Sequence, residues 1–134
     1  MIYSIDVRIT APVNETEVTD RVADAISNLF PEAELTQRPG EFEATSHSLD
    51  HFSERLHEQA ILDTARGAFF GGQAGNTFSF GLKKQAAFNG VINFAVGDGS
   101  ELGDIDVTVQ VNEPDVEALI DHIAPPTEDG RPIK

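Results

Sequence analysis

From its first residues the chain alternates apolar and polar positions, with Tyr3, Ile5, Val7 and Ile9 on one side and Ser4, Asp6 and Arg8 on the other. A period of two puts one face of a strand in a core and the other in water. The period then lengthens: Val18, Val22, Ala25, Ile26 and Leu29 recur at helical spacing before Pro31, behind an Asn14–Glu17 pair that reads as a capping box. Residues 33–37 and 42–46 alternate weakly about Pro39-Gly40 and predict a polar hairpin at the sheet edge. Ser48 is placed to cap a helix that turns Leu49, Phe52 and Leu56 inward. After a break at Gln59 or Ala60, the residues Leu62, Ala65 and Phe69 mark a second helix that Gly71-Gly72 ends.

Phe78, Phe80 and Leu82 against Thr77, Ser79 and Gly81 predict a further strand, and the glycine leaves a shallow spot open to another backbone or a ligand. Residues 83–89 are too many for a tight hairpin and predict a short helical turn. Val91 to Val96, apolar on both faces, predicts a central strand, and Asp98-Gly99 signals a hairpin. Ile105, Val107, Val109 and Val111 alternate with Asp106, Thr108 and Gln110 in the clearest strand pattern of the chain. Residues 112–123 predict a last helix with Pro114 in its first turn. From Ala124 the sequence APPTEDGRPIK is polar and proline-rich, and a disordered tail over 124–134 is expected. The order β-α-β-β-α-α-β-β-β-α defines an α+β domain over 1–123, a mainly antiparallel sheet with helices packed on one face.

Composition adds two things. With 134 residues and 40% apolar content the chain suits one domain with a real core. Its net charge is -14, and only Lys83, Lys84 and Lys134 are lysines. Such acidity with scarce lysine resembles proteins of salt-loving archaea; at about 1 M salt the Debye length falls to ~3 Å and self-repulsion fades. A salt-requiring protein is therefore expected. The chain has no cysteine, which excludes disulfides and thiolate metal sites. The alternating N-terminus is unlike a secretory signal and no apolar run is long enough to span a membrane, so a cytoplasmic location is expected.

Acidic residues are absent from 64–97, where proportional scatter would place about six. That window holds Arg66, Lys83, Lys84 and most of the phenylalanines. Arg66 lies on a helix whose inward positions are already filled, with Asp63 in reach as an ordinary surface partner. Lys83, Lys84 and Gln85 stand together near Asn76 and Asn89. Elsewhere the chemistry is thin. His47 and His51 are four apart, yet a helix capped by Ser48 leaves His47 outside it, so no metal site is expected. The glycines at 67, 71, 72 and 75 close a helix instead of opening one after a strand, unlike a phosphate-binding loop. No nucleophile setting is recognisable, so neither enzymatic activity nor a cofactor is expected.

The segments ILDTAR (61–66), GNTFSFGLKKQAAFNG (75–90) and INF (92–94) resemble the signature of an archaeal protein family numbered 0201 in the uncharacterised series. Its members carry labels such as predicted RNA-binding domain or exosome subunit. The resemblance implies a fold similar to the ribosomal protein that binds 5S RNA, a homodimer, and polar family positions at Arg66, Lys84 and Gln85. In some archaea a similar domain is joined to a nucleotide-kinase-like domain. Two readings follow: RNA binding, to ribosomal or processing RNA, through Arg66, Lys83, Lys84, Gln85 and Asn76, or a dimeric module that binds a protein partner without touching RNA. They differ in whether Arg66 and Lys84 converge on one exposed surface or are spent in separate ion pairs.

Overall fold

The computed structural model describes residues 2–95 and 103–128, and residues 131–132 as backbone. In chain order the elements are β1 (Ser4–Pro12), α1 (Thr19–Leu29), β2 (Glu34–Arg38), β3 (Glu41–Ser46), α2 (Asp50–Glu58), α3 (Leu62–Gly71), β4 (Gln73–Ala74), β5 (Thr77–Leu82), α4 (Lys84–Phe88), β6 (Ile105–Glu113), α5 (Val116–Ile123), β7 (Thr127–Glu128) and β8 (Arg131–Pro132). The main sheet has six strands in the order β2-β3-β1-β6-β5-β4, each antiparallel to its neighbours. This is the α+β architecture the alternation predicts.

One sheet face is apolar and covered. Ile5, Val7, Ile9 and Ala11 of β1 and Ile105, Val107, Val109 and Val111 of β6 are buried, while the residues between them stay polar and largely exposed. The helices bring Val22, Ile26 and Leu29, then Phe52 and Leu56, then Leu62, Ala65 and Phe69, and finally Leu119 and Ile120 into the same core. Phe69 is its hub: its ring centroid lies 5.1, 4.9 and 5.8 Å from those of Phe78, Phe80 and Phe94. The concentration of phenylalanine in the acid-free window is thus a packing requirement, since a carboxylate among these rings would be buried without a partner.

Five local expectations need correction. The Asn14 amide does donate to Glu17 Oε1 at 3.0 Å, but this closes a turn ahead of α1, whose cap position is Val18. Ser48 Oγ accepts from the Asp50 amide at 3.2 Å, with Leu49 at the cap of α2. Residues 91–95 make one isolated bridge, Leu82↔Phe94, and no strand; Val91 is exposed while Ile92 and Phe94 are buried. Two backbone bonds tie this segment to β5, from the Lys83 amide to the Asn93 carbonyl and from the Ala95 amide to the Gly81 carbonyl, and side chains hold the rest: Gln59 accepts from the Ile92 amide at 2.8 Å and donates to its carbonyl at 3.0 Å, and Arg55 donates to the Gly90 carbonyl. Val96 and the Asp98-Gly99 turn lie outside the described residues.

β6 continues through Asn112 and Glu113, so α5 starts only at Val116, with Asp115 accepting from the Ala118 amide at 2.8 Å. Beyond it, Ala124 is fully buried, Thr127 donates to Asp63, and β7 pairs with β8. The segment read as a tail from 124 is therefore packed on the body at 124–128. As expected, helix α2 breaks from α3 at Ala60, which takes a positive φ of 57°.

Among the described residues no helix is long and apolar enough to cross a membrane. Carboxylates such as Glu15, Asp24, Glu54 and Asp63 are exposed. Reducing potassium chloride from about 2 M to about 0.1 M is expected to lower the melting temperature by about 10 °C, read by circular dichroism.

Candidate nucleic-acid interface

Arg66 bridges two helices. Its Nη1 donates to Asp121 Oδ1 of α5 and to the Ala124 carbonyl, each at 2.8 Å, and its guanidinium lies 5.3 Å from the Phe70 ring. The side chain is 22% exposed. Its partner is thus Asp121 instead of Asp63, which Thr127 occupies. The role visible here is to fasten α3 to the end of α5, where a cation also meets the negative end of that helix.

Lys84 is still more enclosed. Its Nζ donates to the Pro12 carbonyl and, at 2.9 Å, to Glu17 Oε1; the two side chains are only 10% and 13% exposed. Burial pushes the Glu17 carboxyl up, but the Asn14 amide, the Lys84 ammonium and the Asn14 side chain together hold it below its ordinary value. The pair ties the end of β1 and the start of α1 to α4. Arg66 and Lys84 therefore do not converge on one exposed surface; each is committed to its own ion pair.

The remaining predicted residues separate as well. Lys83, at the cap of α4, and Gln85, within it, are exposed. Asn76 is exposed in the β4–β5 turn, at the opposite end of β5, with its carbonyl accepting from the Val111 amide. Across seven residues of extended chain that is a separation of about 23 Å. Asn76 lines a different, polar concavity with Gln73, Asn112 and Asp115.

What gathers around Lys83 and Gln85 is a surface built from α1, α2 and α4. The Arg21 guanidinium lies 4.5 Å over the Phe88 ring. Asn28 Nδ2 donates to the Ala87 and Phe88 carbonyls at the end of α4, and Asn89 Nδ2 to the Gln85 carbonyl. On one side of Phe88 a groove of about 350 Å³ is lined by Val18, Arg21, Lys84 and Gln85; on the other, Asn28, His51, Arg55 and Asn89 line a shallower one of about 390 Å³. The surface thus offers an aromatic ring, guanidinium groups and carboxamides together. The sequence gives only a faint sign of Arg21, because Glu17 and Asp24 sit at helical spacing from it and suggest an ordinary surface pair.

His47, His57 and His122 are engaged locally. His47 Nδ1 lies 3.1 Å from both the Ile5 carbonyl and Asp6 Oδ1, His57 Nδ1 lies 2.9 Å from the Ser53 carbonyl, and His122 stacks on Tyr3 at 4.3 Å. Among the described residues, no group of three or more His, Asp or Glu side chains is arranged to hold a metal ion.

Residues 6–111 match a family model described as RNA binding, which places this antiparallel α+β domain in the class grouped under that description. Its relatives are archaeal. The chain belongs to the UPF0201 family. It is 39% identical over 132 residues to a UPF0200/UPF0201 protein of Archaeoglobus fulgidus, covering 98% of this chain but 41% of that one, so it spans less than half of that relative's length. It is 38% identical to a UPF0201 protein of Methanocaldococcus jannaschii, covering 94% of this chain and 76% of that one. The fold is similar to the crystal structure of a UPF0201 protein from Methanococcus jannaschii, with a TM-score of 0.89 at 37% identity over 96% of this chain and 99% of that chain.

Proposed function

We propose that this domain is a non-catalytic RNA-contacting module whose contact surface is centred on α4, and that it takes single-stranded features of a ribosomal or processing RNA. One observation carries this: the Arg21 guanidinium over the Phe88 ring, flanked by exposed Lys83, Gln85 and Asn89. Unstacked bases bind on guanidinium and aromatic planes, and carboxamides read their edges. The match to the RNA-binding family model supports the same reading. With so few cations on a body of net charge -14, counterion release contributes little, so affinity rests on stacking and hydrogen bonds.

The test is ultraviolet crosslinking and pull-down from native lysate in molar potassium chloride. Wild type and Arg66→Ala should recover RNA equally, and Arg21→Ala/Lys83→Ala/Gln85→Ala about tenfold less while remaining folded. Equal RNA recovery by all three proteins would overturn the α4 surface. The second reading, a dimeric protein-interaction module with no RNA contact, is favoured by the commitment of Arg66 and Lys84 to ion pairs within the chain. Recovery of protein partners alone, unaffected by the substitutions, would support it.

A further inference from the structure

Two of the carboxamides around Phe88 are fixed in orientation. Asn28 Nδ2 of α1 donates to the Ala87 and Phe88 carbonyls at 3.2 and 2.9 Å, and Asn89 Nδ2 donates to the Gln85 carbonyl at 3.1 Å. Turning either amide over would set its oxygen against a carbonyl oxygen, so both nitrogens stay on the protein. The oxygens are left over: among the described residues neither Asn28 Oδ1 nor Asn89 Oδ1 accepts a hydrogen bond. Because Asn28 is bonded to the carbonyl that immediately precedes Asn89 in the chain, the two groups are neighbours. Both line the shallow groove of about 390 Å³ beside Phe88.

The rest of that groove supplies what the oxygens lack. His51 lines it, half-buried, and among the described residues its ring makes no hydrogen bond, ion pair or ring contact. An imidazole keeps at least one N–H in either tautomer, so His51 is a donor still to be used. Arg55 beside it is committed to the Gly90 carbonyl and to Glu58. Phe88 adds an aromatic ring: Arg21 covers it from the side of the other groove, 4.5 Å from the centroid, which leaves the near side for a second flat group.

A ligand for this groove is therefore flat, with two adjacent donors for the two oxygens and an acceptor for His51. Among the four RNA bases only guanine has that edge, with its N1–H and N2 amino group side by side and its O6 oxygen beyond them. Uracil has a single N–H between two carbonyls, and in adenine and cytosine the amino group stands beside a ring nitrogen that can only accept. Each of these sets a lone pair against one of the oxygens. We infer that this groove is a guanine subsite, with the base against Phe88, its N1–H and N2 amino group donating to Asn28 and Asn89, and its O6 oxygen accepting from His51. The inference rests on the RNA-contacting reading of the α4 surface and names the nucleotide that this surface takes.

The experiment is fluorescence anisotropy of labelled single-stranded RNA pentamers with the full chain in about 1 M potassium chloride, where long-range repulsion is screened. UUGUU should bind about tenfold more tightly than UUAUU, UUCUU or UUUUU. Replacing the central guanosine by inosine removes only the N2 amino group and should weaken binding about threefold. That contact is read on the wild-type protein, so the result does not depend on any variant folding. His51→Ala and Asn89→Ala should each cut the guanine preference to about threefold or less. The Arg21→Ala/Lys83→Ala/Gln85→Ala protein should bind every pentamer more weakly while still ranking UUGUU first. Pentamers that bind without preference for guanine would overturn the subsite and leave the RNA-contacting surface standing. So would an inosine pentamer that matches UUGUU while both single variants keep the full preference. Pentamers that do not bind at all would overturn both.

Discussion

Gly72→Ala is expected to destabilise the fold by about 3–5 kcal/mol, read from chemical denaturation in molar salt. The backbone at 72 has no special conformation: φ is -101°, which any residue adopts. The constraint is the neighbour. A Cβ there would fall inside the van der Waals radius of the Ser79 carbonyl oxygen, with Ser79 C at 3.0 Å and N at 3.2 Å, all of them backbone atoms. Ser79 is held in place by its own amide bond to the Gly72 carbonyl at 3.1 Å and by β5 pairing with β6 at Thr108. No side chain is available to swing away, so relief requires α3 to lift from β5, and Phe69 would lose its contacts with Phe78 and Phe80. By contrast Gly67→Ala, where a Cβ meets nothing within 4 Å, should be neutral or slightly stabilising.

Lys84→Met comes next in size, at about 3 kcal/mol. The aliphatic stem is kept and the ammonium removed, leaving the Glu17 carboxylate and the Pro12 carbonyl in a nearly closed space. Adding Glu17→Gln should recover part of the loss, since it removes the uncompensated charge. The wild-type pair also fixes a pH dependence. Because the folded protein holds the Glu17 carboxyl below its ordinary value near 4.5, its contribution is present above that value and is lost as pH falls through the lowered one. The stability gap between wild type and Glu17→Gln, followed by circular dichroism, should be constant above about pH 4.5 and narrow as pH falls below it.

Legibility followed a physical division. Strands with one wet face were readable, because Ile5–Val7–Ile9 and Ile105–Val107–Val109 write the two-residue period directly into the chain. The break between α2 and α3 was readable for the same local reason. Residues 91–95 were not. Their apolar run resembles a buried strand, but only two backbone bonds join them to β5, and Ile92 is clamped by Gln59, 33 residues away, a side-chain contact that leaves no periodic trace. The candidate site divides likewise. Adjacent Lys83 and Lys84 look equivalent in sequence, yet one is exposed and the other meets a glutamate 67 positions away. Arg66 passes over nearby Asp63 for Asp121, 55 positions on. A charged residue's partner is a tertiary property, so the acid-free window marked the core more faithfully than it marked a binding surface.

The place of β6 between β1 and β5 bears on how the protein comes into being. During synthesis β1, β2 and β3 can assemble as one unit, and α3 with β5 as another, but these share no strand contact of their own. Only when residues 105–113 emerge is the strand present that joins them. At about 5–20 residues per second, the roughly twenty residues between the end of β5 and the start of β6 take one to a few seconds. Throughout that interval the nascent chain displays the β1 and β5 edges destined for β6. The newborn polypeptide is therefore most exposed to aggregation just before residues 105–113 arrive, and chaperone demand should peak there.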